Sequence, residues 1–526
     1  MSVILYCFLP FAGALVVLGF WRQRRRASIL PPGPPGDPLI GHLLRMPSKD
    51  SALVFHEWSK TYGPVMHLKV LGRSMIILDS YEAAVDLLDK RGIIYSDRPT
   101  FTLYELLGWH PTLTFLRYGK KFNIHRQMHQ SFLSRHKIEG FKPMQTQEAR
   151  TLVKNLLEST PERYEKSISR FATGVLTQIV AGHRITSDDD PYLHMSRMTF
   201  EAMAKTGPPG NSPLDFFPLL QYFPPWFPGA SHVAVVRTWN PTMRELHEFP
   251  LRTTGAAMPS FILEQLEEMV EGADEEDLKG SAATMFGAGE ITTWGTLSTF
   301  ILAMILHPEC QAKAQKEIDS VVGGARLPEF GDREDLPFVD GILQETFRWN
   351  PGLQLGVPHR VMEDDMYQGM LIPKGSLVFT NVRGMSLDEN MYSNPTSFDP
   401  QRYLPTPVGR SEPNFSNMSF GFGRRICTGE LVANNSLWIA IASILATCKI
   451  TNAVDETGKI IVPENTLTDG LVRQVICICT TLKPNYTCLK AIQRTSDVLS
   501  LHGLPVPKRS LWKQLVEFRV FHSSSF

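Results

Sequence analysis

The run Phe420-Gly421-Phe422-Gly423-Arg424-Arg425-Ile426-Cys427-Thr428-Gly429 sets one cysteine among three glycines and two arginines. No other segment constrains the chain as much, because a tight turn, an ionisable sulfur and a helix start share ten residues. Glycines let the backbone turn sharply and approach a flat ligand where any Cβ would collide. Cys427 offers an anionic sulfur and Arg425 a fixed cation for an acidic group. The residues that follow, Glu430 to Cys448, read as an apolar helix whose N-terminus faces the sulfur and favours the thiolate. Two plainer readings compete: a small buried cysteine in a glycine turn, and a phosphate loop. The spacing is neither G-x-G-x-x-G nor G-x-x-x-x-G-K-[ST], which leaves the phosphate loop unsupported.

With 526 residues the chain can bury a large core and exceeds an ordinary single-domain length. Lysine plus arginine equals aspartate plus glutamate, 53 each, so no global field draws it to nucleic acid. Seven cysteines, odd in number and with no C-x-x-C pair, argue for a reducing compartment over a disulfide framework. From about Leu39 to Pro484 the pattern is mostly helical with a smaller β-rich part. Met66–Val70 and Ser74–Leu78 read as strands, and Leu371–Phe379 as a hairpin turning at Pro373-Lys374-Gly375. The acidic stretch Glu264 to Asp277 reads as a solvated helix face and loop.

Val3 to Trp21 is uncharged and is followed at once by Arg22, Arg24, Arg25 and Arg26. As a helix it would reach roughly 28 Å, close to the thickness of a bilayer core. The arginines predict that the following end stays cytoplasmic. A cleaved signal peptide would carry its charge before the apolar run and a small-residue cleavage site after it. Pro31 to Gly36 then forms a stiff proline-rich connector. The expected organisation is a transmembrane anchor (1–21), a basic and proline-rich linker (22–38), a catalytic domain (39–484) and an extension without an assigned role (485–526).

Ser281 to His307 reads as one long apolar helix carrying Gly287, Gly289 and Gly295. A mid-helix glycine costs ~1 kcal/mol against alanine and needs a reason. Within it, Ala288-Gly289-Glu290-Ile291-Thr292-Thr293 places small residues and a hydroxyl in a core segment. A hydroxyl beside a locally opened turn can hold water, whereas an ordinary core helix would back-bond its threonines. Glu345 and Arg348 lie three apart on a helix that Phe338, Ile342, Leu343 and Phe347 mark as buried. Buried charges need partners, and Arg402 in the run Phe398–Tyr403 offers one.

The decapeptide matches F-x-x-G-x-R-x-C-x-G and so resembles the haem-binding signature of the cytochrome P-450 family. Three further segments agree with that resemblance. Ala288 to Thr293 resembles A-G-x-[DE]-T-T, with Thr292 at the alcohol position, Ile291 where the acid belongs and Glu290 one residue early. Glu345 to Arg348 with Arg402 resembles the family's E-x-x-R helix and its P-E-R-F partner, a structural charge cluster. Tyr118 to Arg126 resembles W-x-x-x-R, with Phe122 in place of the tryptophan.

The resemblance implies a cytochrome P-450 fold, behind one N-terminal transmembrane helix, holding haem b through an axial thiolate from Cys427. It makes Phe420, Gly421 and Gly429 parts of the cofactor cradle, and Arg126, His359 and Arg425 partners of the propionates. Thr292 and Glu290 become the candidates for proton supply. The implied activity is hydroxylation or other oxidation of a lipophilic small molecule, with O2 and electrons from NADPH-cytochrome P-450 reductase. The implied location is the endoplasmic reticulum membrane, with the catalytic domain cytoplasmic. Overall likeness points to enzymes of mushroom-forming fungi, many of which modify terpenoids or other secondary metabolites. The rival readings are a haem-thiolate isomerase or dehydratase without a reductase, and a non-catalytic haem sensor.

Overall fold

The computed structural model describes residues 29–158, 164–210, 212–254, 259–454, 459–465 and Val472. The anchor (1–21), the first part of the linker (22–28) and the extension (485–526) lie outside the described residues. The chain divides into two compact units. Among the described residues, the smaller comprises 29–99, 355–385 and 422–424, and the larger those within 100–354, 386–421 and 425–472.

The smaller unit is built on a four-stranded sheet. Strands β1 (Val65–Val70) and β2 (Arg73–Leu78) pair antiparallel in the register Val65 to Leu78. The β3 strand (His359–Arg360), the hairpin β4 (Asp365–Tyr367) and β5 (Met370–Ile372), and β6 (Leu377–Thr380) follow in the chain. The sheet order is β1-β2-β6-β3, with β6 parallel to β2.

The hairpin expected about Pro373-Lys374-Gly375 is corrected here. A turn exists, since the Ser376 amide donates to the Pro373 carbonyl, but its two arms join different sheets. β5 pairs instead with β4 through Gln368 and Gly369, both at positive φ. Such a pair of left-handed residues matches the twist of an antiparallel ribbon. β6 is buried along its whole length, so it enters the central sheet.

The larger unit is helical. Numbering the longer helices in chain order, α1 (Ser51–Tyr62) belongs to the smaller unit. The larger holds α2 (Lys120–Phe132), α3 (Lys142–Glu158), α4 (Tyr164–Ala181), α5 (Pro191–Thr206), α6 (His232–Thr253) and α7 (Glu275–Leu306). It continues with α8 (Pro308–Val321), α9 (Pro337–Trp349) and α10 (Glu430–Thr447). The α7 helix is the spine, touching α2, α4, α6, α9 and α10. Both α7 and α10 are apolar on all sides and long enough to cross a bilayer, because other helices surround them.

The start of α7 is set by a capping box in which Asp274 and Asp277 exchange side chain-to-amide bonds. Asp277 also accepts from Lys121 and His125 and is 4% exposed. The acidic stretch is therefore not one solvated face, since its last carboxylate is a buried cap. His307 caps the end of α7, and Pro308 then opens α8.

Candidate functional site

The cysteine loop belongs mostly to the larger unit. The Cys427 amide donates to the Phe420 carbonyl at 2.9 Å and closes the loop on itself. Gly421 sits at φ +81, in the left-handed region that glycine adopts without strain. The Phe420 ring meets Phe347 of α9 edge-on, with centroids 5.3 Å apart. Gly429 is the N-cap of α10, and the amides of Gly429 and Glu430 both donate to the Cys427 sulfur. Burial pushes the Cys427 thiol up, while the Gly429 amide, the Arg126 cation and the Glu430 amide act the other way. Helix dipole and amides alone thus do not hold the thiolate. The Cys427 side chain nevertheless keeps exposed surface within dense surroundings, so the sulfur opens onto interior space.

Phe422 to Arg424 pack within the smaller unit, where the Phe422 ring lies 6.1 Å from that of Tyr81. A Cβ on Gly423 would come within 2.1 Å of the Leu88 carbonyl oxygen, so that backbone approach needs glycine.

In the larger unit, α2 carries Arg126, whose guanidinium donates to the Ile426 carbonyl. Among the described residues no carboxylate pairs with Arg126, and burial lowers its pKa while Cys427 raises it. Arg425 donates to the Leu113 and Leu116 carbonyls at 3.2 and 2.7 Å and stacks over Phe122, 3.8 Å from the ring centroid. The indole position of the W-x-x-x-R pattern is thus filled by a ring that serves as a platform for the loop arginine. In the smaller unit His359 is buried on β3 with Nδ1 donating to the Tyr95 carbonyl at 2.8 Å. Arg98, which pattern reading passed over, is 5% exposed there and donates to the Val357 and Pro358 carbonyls.

The α7 helix runs unbroken through Ala288 to Thr293. The local opening considered for this segment is absent: the Thr292 hydroxyl donates to the Ala288 carbonyl at 2.9 Å. The mid-helix glycines serve close approach instead. A Cβ on Gly287 would lie 2.8 Å from the Trp109 ring, and one on Gly289 3.0 Å from Leu176. Along the middle of this mostly buried helix Ala288 is exposed and Thr292 and Thr296 are half-buried, as are Gly289 and Trp294. Ala288, Thr292 and Thr296 recur every four residues and form one open stripe.

Glu290 lies two residues from Thr292, a rotation of ~200° on an α-helix. It is 4% exposed and accepts from the Ser196 hydroxyl of α5. Thr173 of α4 lies 3.3 Å from the same hydroxyl. Burial pushes the Glu290 carboxyl up to about 7 against this one hydroxyl partner. The structure therefore separates the two proton-supply candidates, with Thr292 on the open stripe and Glu290 between helices.

Glu345, Arg348 and Arg402 meet with no exposed surface. Glu345 takes two bonds from Arg348 at 2.7 Å each, bonds from the Arg402 Nε at 3.1 and 3.0 Å, and one from the Asp399 amide at 2.7 Å. The Tyr403 hydroxyl adds another at 3.1 Å, so one of the two residues that depart from P-E-R-F, Gln401 and Tyr403, joins the cluster. Arg402 also pairs with Glu412 at 2.6 Å, a second carboxylate that spacing did not reveal. Arg348 donates its remaining hydrogens to the Ser386, Pro395 and Ser397 carbonyls.

The segment Phe101 to Phe115 forms a short helix, Thr102–Leu107, and a turn. Leu103, Leu107, Trp109 and Leu113 are buried in it.

Comparison with known proteins agrees with this architecture. The family model described as Cytochrome P450 matches residues 31–473. Cytochrome P450 monooxygenase 136 of Postia placenta is 38% identical over 480 residues, covering 88% of this chain and 90% of the relative. Cytochrome P450 monooxygenase claR of Ampulloclitocybe clavipes is 36% identical over 467 residues, covering 87% and 86%. COX2 of Coprinopsis cinerea, also named a cytochrome P450 monooxygenase, is 36% identical over 450 residues, covering 83% and 85%. With the family model spanning both units and such relatives matched over most of their length, the chain belongs to the cytochrome P450 family and is a monooxygenase.

Proposed function

We propose that the Cys427 sulfur would ligate the iron of a haem b and that the protein hydroxylates, or otherwise oxidises, a lipophilic small molecule. The observation that carries this reading is the pair of amides, from Gly429 and Glu430, aimed at a Cys427 sulfur that opens onto interior space. That donor set stabilises a thiolate only in part, which suits a sulfur whose remaining charge is taken up by a metal cation. Arg126, a half-buried cation without a carboxylate partner among the described residues, suits an anionic group such as a propionate. When bound through a thiolate, haem iron supplies the oxidising chemistry, since the sulfur's electron density favours O–O cleavage.

The chain's own residues do the rest. Arg126, Arg425 and His359 serve the propionates. Phe420, Gly421 and Gly429 shape the cradle. Thr292, on the open stripe of α7, holds water and passes protons, with its back-bonded hydroxyl able to turn between the Ala288 carbonyl and that water. Glu290, buried against Ser196, acts at most as a remote proton reserve. Electrons come from an NADPH-dependent reductase.

We place the protein at the endoplasmic reticulum membrane through residues 1–21, in fungal secondary metabolism such as terpenoid formation. Support for a membrane surface comes from the run Pro213 to Phe227 of the larger unit. There Trp226 is 81% exposed and Tyr222 78%, beside exposed Phe217, Leu219 and Phe223. Amphipathic aromatic rings of this kind favour the boundary between lipid and water.

The test is carbon monoxide binding to the reduced protein, followed by product formation with and without NADPH and reductase. Cys427→Ala is expected to abolish the thiolate band, and survival of that band would remove Cys427 as the ligand. A normal band in the wild type with turnover independent of NADPH would favour the isomerase or dehydratase reading. A normal band with no turnover would favour a sensor.

A further inference from the structure

The contacts of α2 fall in an order that the cysteine motif does not announce. Phe122, Arg126 and His129 are spaced by four and three residues and so share one face of the helix. They meet, in turn, Arg425, the Ile426 carbonyl and the Thr428 hydroxyl. One helix face thereby grips the loop on both sides of Cys427.

His129 is the most constrained of the three. It is 1% exposed, and its ring stands edge-on to Phe261 with centroids 5.8 Å apart. Nδ1 lies 2.9 Å from the Thr428 hydroxyl, and Nε2 lies 3.2 Å from the Ser281 carbonyl of α7. A carbonyl only accepts, so the Nε2 bond assigns the ring hydrogen to Nε2. Nδ1 is then an acceptor, and Thr428 must donate to it. A single tautomer links the residue after Cys427 to the spine helix.

We propose that His129 is a positioning residue: by accepting from Thr428 and donating to Ser281 it holds the Cys427 loop at a set distance from α7. This rests on the reading of Cys427 as the haem ligand. Removing either partner leaves a buried polar group unmade and frees the loop to slacken on the side away from Arg126. The consequence appears in how long sulfur ligation persists, not in the fold as a whole.

The experiment uses the full-length, haem-loaded protein, reduced and saturated with carbon monoxide, and follows decay of the thiolate band into the non-thiolate form. Thr428→Val and His129→Leu should each speed that decay about tenfold, the factor that one lost buried hydrogen bond is worth. The double variant should decay no faster than His129→Leu alone, since Thr428 acts through its bond to His129. His129→Asn, whose amide oxygen falls near the place of Nδ1, keeps the bond to Thr428 but not the one to Ser281 and should restore the slow decay in part. His129→Gln, whose amide nitrogen falls near Nε2, should not. Unchanged decay in both single variants would overturn the proposal, as would effects that multiply in the double variant or rescue by Gln in place of Asn. If His129→Leu takes up no haem, Thr428→Val decides alone: faster decay supports the proposal and unchanged decay overturns it. Absence of any thiolate band in the wild type would instead refute the ligand assignment.

Discussion

Glu345 and Glu290 are carboxylates sunk in the same helical unit, and they are held in opposite ways. Glu345 has no exposed surface and lies among two arginines, a backbone amide and a tyrosine hydroxyl. Glu290 is nearly as buried and has the Ser196 hydroxyl. Loss of hydration falls on both. For Glu345 the guanidiniums offset it at close range, and Glu412 balances the second arginine. For Glu290 a single hydroxyl does not, and the carboxyl titrates near 7. The lesson is that burial alone does not tell what a carboxylate does. One sits at the centre of a buried ion cluster, and the other is a lone buried carboxyl pushed into the range where an acid can release and regain its proton.

The largest effect is expected of Glu345→Ala. It would leave Arg348 and Arg402 buried with a lost counter-charge and is expected to cost ~3–5 kcal/mol. Denaturant unfolding and haem retention measure it. A loss below about 1 kcal/mol would show that the backbone carbonyls and Glu412 suffice.

Glu290→Gln should do the reverse. Because the folded carboxyl titrates near 7, above its ordinary value of 4.5, the native state binds more protons than the unfolded chain between those pH values. Stability therefore falls as pH rises through that window. The Gln variant lacks this fall, and at pH 8 it should exceed the wild type by on the order of 1–3 kcal/mol relative to pH 5. Parallel pH profiles for the two proteins would show that Glu290 titrates as an ordinary carboxyl.

The smallest effect on stability belongs to Thr292→Val, less than about 1 kcal/mol, since its hydroxyl only back-bonds within α7. Its effect belongs to function: product formed per NADPH consumed should drop while the thiolate band stays. Unaltered coupling would remove Thr292 from the proton path and return attention to Glu290.

Much of this was legible along the chain, and the failures share a cause. The apolar patterns of Met66–Val70 and Ser74–Leu78 announce strands, and the two pair with each other because each has its partner as a neighbour in sequence. Leu377–Thr380 has the same look, yet its partners β2 and β3 come from elsewhere in the chain, so local turn chemistry suggested the wrong arm. Asp277 read as part of a solvated acidic run because the helix whose Lys121 and His125 cover it lies far away in sequence. His129 was missed for a related reason. Its spacing from Phe122 and Arg126 marks a common helix face, but nothing local says that the face meets residues 425 to 428.

Residue order along the chain was enough for the family, the mostly helical build, the cysteine loop with a helix start behind it, and the charged residues that need burial partners. These are matters of residue type and short spacing, where backbone freedom, helix period and desolvation act over a few residues. Tertiary structure alone decided that Glu290 turns from Thr292 toward α5, that Tyr403 and Glu412 complete the arginine cluster, and that His129 reaches Thr428. Which side chain meets which across hundreds of residues depends on how helices pack, and packing is a property of the folded chain as a whole.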